Sequence, residues 1–189
     1  HPRLADYLIG DPVVTPIEHQ PDYSETLALM PHCYQPNDRL RPVGPAPSRA
    51  SCGLPEQGFV FCSFNQSYKI TAEVFASWCR MLVAIPGSIL WLLRESEEAT
   101  HNLRTAAVEQ GIAPDRLVFA QNIAIADHLG RLQHADLALD TFPYGSHTTG
   151  SDALWAGVPL VAIRGETFAS RVSSSLLTST GLQESLDLV

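Results

Sequence analysis

From Gly58 onward, short runs of apolar residues alternate with longer amphipathic segments, and this alternation constrains the fold more than any other feature of the chain. The runs cover residues 59–64, 89–93, 117–120, 137–140 and 160–163, with Gly, Pro, Asp or Asn at their borders. Unbroken apolarity is expected of strands whose sheet is covered by helices on both faces. The intervening spacing predicts helices over 72–85, 97–110, 125–134, 148–156 and 168–180. Thr71 is placed to cap the first of these, and Phe75, Trp78, Cys79 and Leu82 fall on one of its faces. Gly111 stands where the second helix needs a left-handed C-terminal cap. The predicted fold is therefore α/β: a Rossmann-like parallel sheet with flanking helices and right-handed crossovers, occupying residues 56–189.

Residues 1–55 read differently. They are rich in proline, and their apolar residues come in short runs such as Tyr7-Leu8-Ile9 and Leu27-Ala28-Leu29-Met30. Two short strands in an irregular connector are expected there. The start, His1-Pro2-Arg3, is neither an initiator Met nor a signal peptide, so the chain reads as a piece of a longer one. With 189 residues, 45% of them hydrophobic, it can bury one sizeable core. A net charge of −8 with no basic cluster argues against a nucleic-acid partner. No apolar stretch approaches the roughly 20 residues of a membrane span. Cys33, Cys52, Cys62 and Cys79 form no CxxC and no Cys/His pair at ligand spacing, so neither zinc nor a disulfide framework is indicated. Reduced thiols in a cytoplasmic protein are the expectation.

In an open α/β sheet, ligands bind beyond the carboxyl ends of the strands, and three of the loops there carry chemistry. The first is Asn65-Gln66-Ser67-Tyr68-Lys69, whose single cation among amide and hydroxyl groups suits a diphosphate, or is a solvated Lys on a polar turn. The second runs from Asp140 through Tyr144, His147, Thr148 and Thr149 into a helix start, where free amides and the helix dipole favour an anion. Thr148 as a plain N-cap explains one hydroxyl of that set. Asp152, read into the first turn, suits a sugar hydroxyl or simply the dipole. The third loop leads to His128 and Arg131, three apart on one helix face, where an imidazole beside a guanidinium can hold a nucleobase. An ordinary surface histidine is the plainer reading of His128. His134 falls on another face, so a metal pair with His128 is not expected. Neither GxGxxG nor GxSxG occurs, and Ser173-Ser174-Ser175 reads as small residues near a helix end. Glu166 is placed either at the cleft or in a capping turn.

Several stretches together resemble the C-terminal catalytic lobe of the O-GlcNAc transferase / SPINDLY family of GT-B glycosyltransferases. They are Tyr23-Ser24-Glu25, Met30-Pro31-His32-Cys33-Tyr34-Gln35, Cys62-Ser63-Phe64-Asn65-Gln66-Ser67-Tyr68-Lys69 and Leu90-Trp91-Leu92-Leu93. His147-Thr148-Thr149-Gly150-Ser151-Asp152-Ala153-Leu154-Trp155-Ala156-Gly157 and Gly165-Glu166-Thr167-Phe168-Ala169-Ser170-Arg171-Val172 complete the set. The resemblance implies the nucleotide-binding lobe of an inverting, metal-independent enzyme that needs no cofactor and moves GlcNAc from UDP-GlcNAc to Ser or Thr hydroxyls. It implies that residues 1–55 are the remnant of a preceding catalytic lobe, with a TPR region further upstream recruiting the protein acceptor and helices following Val189. On that basis the isolated chain is expected to be inactive.

Carried over by position, Lys69 neutralises the leaving diphosphate and Gln66 binds nearby oxygens. His128 stacks on the base beside Arg131, Thr148 and Thr149 bind the diphosphate, Asp152 the ribose, and His147 faces the sugar. Two positions depart from animal members: Ile125 stands where they carry Lys, and Tyr144 where they have a small Cys lining the sugar pocket. Both departures are of a bacterial type. A related donor such as GDP-fucose, and a binding module without transfer, stay open as alternatives.

Overall fold

The computed structural model describes residues 4–182. Two strands of the connector, β1 (Tyr7–Gly10) and β2 (Thr26–Leu29), pair in parallel as a small sheet. The remaining strands are β3 (Val60–Ser63), β4 (Ile89–Leu93), β5 (Leu117–Ala120), β6 (Leu137–Leu139) and β7 (Leu160–Val161). They form a second, fully parallel sheet in the order β5-β4-β3-β6-β7. The helices are α1 (Ala72–Ala84), α2 (Glu97–Glu109), α3 (Ile125–Leu132), α4 (Thr148–Trp155) and α5 (Phe168–Ser179). Asp140, Ile163 and His134 fall just outside the elements to which periodicity assigned them, since β6, β7 and α3 end at Leu139, Val161 and Leu132.

Local chemistry accounts for the helix ends. The Thr71 hydroxyl accepts from the Val74 amide, Ser96 caps α2 through the Ala99 amide, and Thr167 with Ser170 forms a capping box on α5. Gly111, at φ 75°, closes α2, with its amide on Val108 O and the Ile112 amide on Ala107 O.

Alternate side chains of each strand feed two cores. On one face Phe61, Leu90 and Leu92 pack with Phe75, Trp78, Cys79 and Leu82 of α1 and Ala107 of α2. On the other, Val60, Cys62 and a fully buried Trp91 pack with Leu129 and Leu132 of α3, Ala153 of α4 and Leu177 of α5. The two helical layers explain why the strands read as continuously apolar.

The connector is bound tightly to this sandwich. Val14 packs on Val172 and Leu176 of α5, and Leu54 enters the core beside α3. Where the connector crosses α3, the Gly44 amide donates to Ala126 O at 2.9 Å. A Cβ on Gly130 would meet Pro45 O at 2.7 Å, so only glycine lets the two backbones approach. Ser173, Ser174 and Ser175 lie in the buried middle of α5 rather than near its end, because small hydroxyl side chains fit against the connector and the Ser146 loop. Ser175 Oγ donates to Asp11 Oδ2 at 2.6 Å, and the same carboxylate accepts the amides of Val13, Val14 and Tyr34 at 2.9, 2.8 and 2.9 Å.

Asp11 is fully buried, so Asp11→Ala leaves three amides and a hydroxyl without their acceptor. The variant is expected to lose about 3 kcal/mol in a urea melt. A loss below about 1 kcal/mol would mean that the connector's attachment does not depend on this carboxylate.

Candidate functional site

The strand order reverses between β3 and β6, and the loops leaving these neighbouring strands at their carboxyl ends flank a crevice. A buried hydrogen-bond chain ties the loops together. Asp140 Oδ1 accepts the amides of Thr141 and Ser146, at 2.8 and 2.6 Å, and the Ser146 hydroxyl. Ser146 Oγ in turn accepts from Asn65 Nδ2 at 2.9 Å, and Asn65 Oδ1 accepts from the Thr149 hydroxyl at 2.8 Å. Asn65 and Ser146 are 4% and 2% exposed, so this chain is interior structure rather than a solvated rim.

Lys69 is carried on a short 3-10 turn, Ser67–Lys69, after β3. Its ammonium donates to Gly145 O at 3.0 Å and lies 3.9 Å from the Tyr144 ring centroid. Burial lowers its pKa, and the Asp140 carboxylate opposes that shift. The Tyr144 ring also meets the His147 imidazole edge-on, with centroids 5.4 Å apart. Gln66 is exposed beside this group, and its side chain makes no hydrogen bond among the described residues.

His147, not Thr148, is the N-cap of α4, and its side chain does not cap the helix. The strongly turned backbone at His147, φ −116° and ψ −94°, moves Thr148 into the first helical position. The helix therefore opens toward the crevice without a side chain on its first amides. His147 Nε2 is buried with no partner. Burial and then the Lys69 charge lower the pKa of this imidazole, so it is held neutral.

Asp152 is the fifth residue of α4, just past the first turn into which the sequence reading placed it. Its carboxylate is paired with Arg41 of the connector. Sequence reasoning missed Arg41 altogether, and it gave Asn65 and Ser146 no role beyond membership of polar loops. Nothing local in Asn37-Asp38-Arg39-Leu40-Arg41 separates Arg41 from a solvated cation. Glu166 is exposed and paired with Arg171 beside the Thr167 capping box, which favours the capping turn over the cleft.

His128 is not an ordinary surface histidine. Its ring meets Phe64 edge-on at 4.8 Å, and it lines the same crevice as Asn65, Ser146 and Thr149. Arg131, 6% exposed, donates from Nε to His128 Nδ1 at 3.2 Å and from Nη1 to Gln121 O at 2.7 Å. Since Nδ1 accepts, the neutral ring carries its proton on Nε2, a donor for a ligand carbonyl. Beyond Arg131 opens a cleft of about 520 Å³ lined by Trp91, Arg94, Gln121 and Ile123. Among the described residues, no group of three His, Cys, Asp or Glu side chains could hold a metal ion.

Burial, and secondarily Arg131, push the His128 pKa down to about 4 from 6.5. The unfolded chain therefore binds a proton at His128 more readily than the folded one, and stability falls as pH drops from 6.5 toward 4. His128→Gln should flatten this part of the profile in urea melts taken across that window. An unchanged slope in the variant would show that His128 is not held neutral by its surroundings.

Known proteins are similar to this chain over most of its length. The probable UDP-N-acetylglucosamine-peptide N-acetylglucosaminyltransferase SEC of Arabidopsis thaliana is 41% identical over 183 residues, covering 94% of this chain and 19% of that protein. The UDP-N-acetylglucosamine-peptide N-acetylglucosaminyltransferase of Caenorhabditis elegans is 44% identical over 137 residues, covering 72% of this chain and 12% of the relative. The chain thus spans about a fifth or less of the length of these curated relatives. A mutant O-GlcNAc transferase of Thermobaculum terrenum superposes with a TM-score of 0.81 at 33% identity, over 97% of this chain and 35% of that one. The profile of glycosyl transferase family 41 matches residues 44–187, a stretch that holds the Lys69 turn, the His128–Arg131 pair and the start of α4, and the chain belongs to that family.

Proposed function

We propose that this chain is the donor-binding part of an inverting, metal-independent glycosyltransferase that moves GlcNAc from UDP-GlcNAc to Ser and Thr hydroxyls of proteins. The observation that carries the reading is the meeting of Lys69 and His147 around the Tyr144 ring at the uncapped start of α4. Glycosyl transfer builds negative charge on the departing diphosphate. A fixed ammonium and helix-terminal donors stabilise that charge more in the transition state than in the ground state. In this scheme Lys69 moves from Gly145 O and the Tyr144 face to the diphosphate, a short shift for a flexible side chain. Thr148 and Thr149 add hydroxyl donors, and Gln66 binds oxygens at the rim. The positive charge that a divalent ion supplies in other transferases comes here from these groups, so no metal or cofactor enters the scheme.

The neutral His128 ring donates from Nε2 to the base and Arg131 fixes its tautomer, while the adjoining cleft of about 520 Å³ leaves room for a planar ring. Asp152 accepts from the ribose. His147 and Tyr144 face the sugar. The acceptor protein is recruited through a TPR region outside this chain, and the chemistry takes place in the cytoplasm. Tyr144 and Ile125 align the chain with bacterial-type members.

Lys69→Ala is the direct test. In the full-length gene product it should lower transfer by about a hundredfold or more, the scale on which removal of a transition-state donor is felt. Circular dichroism of the variant should stay that of the wild type. Transfer at the wild-type rate would remove Lys69 from the mechanism. Calorimetric titration of the chain should show UDP bound in preference to GDP, with the affinity reduced by Lys69→Ala. A preference for GDP would move the donor class to GDP-fucose. Tight UDP binding without transfer or hydrolysis by the full-length product would assign a sensing module instead.

A further inference from the structure

Asp152 is 5% exposed, and burying a carboxylate is costly unless a cation is fixed beside it. Its partner comes from far away in sequence: Arg41 of the connector, 111 residues earlier, donates from Nη1 to Asp152 Oδ1. The Arg41 guanidinium lies 5.3 Å from the Trp155 ring centroid, and the Trp155 indole donates to Arg41 O at 3.4 Å. One residue before Asp152, the Ser151 hydroxyl donates to Asn37 Oδ1 at 2.6 Å. The segment 37–41 is thereby strapped across α4 at two consecutive helical residues.

This pair is left incomplete by the protein. Arg41 Nε and Nη2 are buried without a partner, and so is Gln35 Oε1 on the same strap. Asp152 Oδ2 makes no hydrogen bond among the described residues, yet it is not among their sealed-in unpartnered atoms. A salt bridge that served folding alone would be expected to satisfy these atoms, since unmade buried hydrogen bonds are expensive. Asp152 also stands four residues after Thr148 on α4, so the two share a helix face about 5–6 Å apart. The anion-favouring start of the helix and the carboxylate oxygen without a protein partner thus lie on one helix face, one turn apart, as a diphosphate and a diol are spaced in a nucleoside diphosphate.

We propose that Arg41 is a positioning residue for nucleotide recognition: anchored to Oδ1, it turns the Asp152 carboxylate so that Oδ2 accepts from the ribose hydroxyls. The inference rests on the donor-site reading above and adds to it a residue that lies outside residues 44–187, the stretch matched by the family profile. It makes the connector a working wall of the site rather than a tether.

The test reads ribose discrimination, which a purely structural role would leave alone. UDP and 2′,3′-dideoxyuridine diphosphate are titrated into the chain and into Arg41→Met and Arg41→Lys variants shown to be folded. The wild type should prefer UDP by about tenfold or more, the scale of hydrogen bonds to a charged acceptor. Arg41→Met should bring the ratio near one while binding of the dideoxy nucleotide stays close to that of the wild type, and Arg41→Lys should recover most of the preference. Should Arg41→Met not fold, the comparison moves to Asp152→Asn with and without Arg41→Met, where no buried carboxylate is orphaned. Equal ratios in those two support the proposal, and a further drop in the double variant overturns it. A folded Arg41→Met that keeps the UDP preference overturns the inference and leaves the donor site standing. A wild type that binds neither nucleotide withdraws the donor site, and the inference with it.

Discussion

The site depends on one buried polar chain, Asp140 to Ser146 to Asn65 to Thr149, which bridges the two strand ends where the sheet changes winding direction. Loops at such a reversal have no neighbouring crossover to pack against, so they need a link of their own. Low dielectric strengthens each hydrogen bond in the chain and makes each unmade one costly, which holds the two loops in a single arrangement. Lys69, Tyr144 and His147 take their positions from that arrangement, and the start of α4 follows within a few residues.

Around this link the molecule separates two kinds of interior. The sheet is sealed by apolar layers, with Trp91 at the centre of one and Phe61 in the other. At the carboxyl ends of the strands the interior becomes polar, and charged groups are buried with partners both near and far in the chain. Arg131 leans on Phe64 and Trp91 and holds His128, while Arg41 leans on Trp155 and holds Asp152. In both cases a guanidinium over an aromatic ring holds the side chain of a neighbouring polar group. Arginine suits this because its planar, weakly hydrated head can stack and donate together.

Much of this was legible beforehand. Five strands and five helices lie where periodicity and caps put them, with ends shifted by one or two residues. The strand reading ran one residue too far at Asp140, whose amide still donates to Val161 O while its carboxylate takes the loop amides of Thr141 and Ser146. Asp152 was read into the first turn and is the fifth residue of α4, because the sequence does not show that His147 rather than Thr148 takes the N-cap position. Lys69, His128, Arg131, His147 and Thr149 are the residues that the loops single out, and the structure places them at the carboxyl ends of the parallel strands. Arg41 was not found. It sits in a proline-rich segment without periodicity, and its partner is 111 residues away.

The sequence by itself determined the order of strands and helices, the faces they bury and the loops that carry chemistry. Those properties follow from local backbone preference and from the spacing of apolar side chains, which act over a few residues. Only the tertiary structure decided that the Asn65 and Ser146 loops meet, that His147 and not Thr148 caps α4, and that Arg41 reaches Asp152. Those contacts join side chains far apart in sequence, and they form only after burial of the apolar faces has stacked the strands and pressed the connector onto α3, α4 and α5.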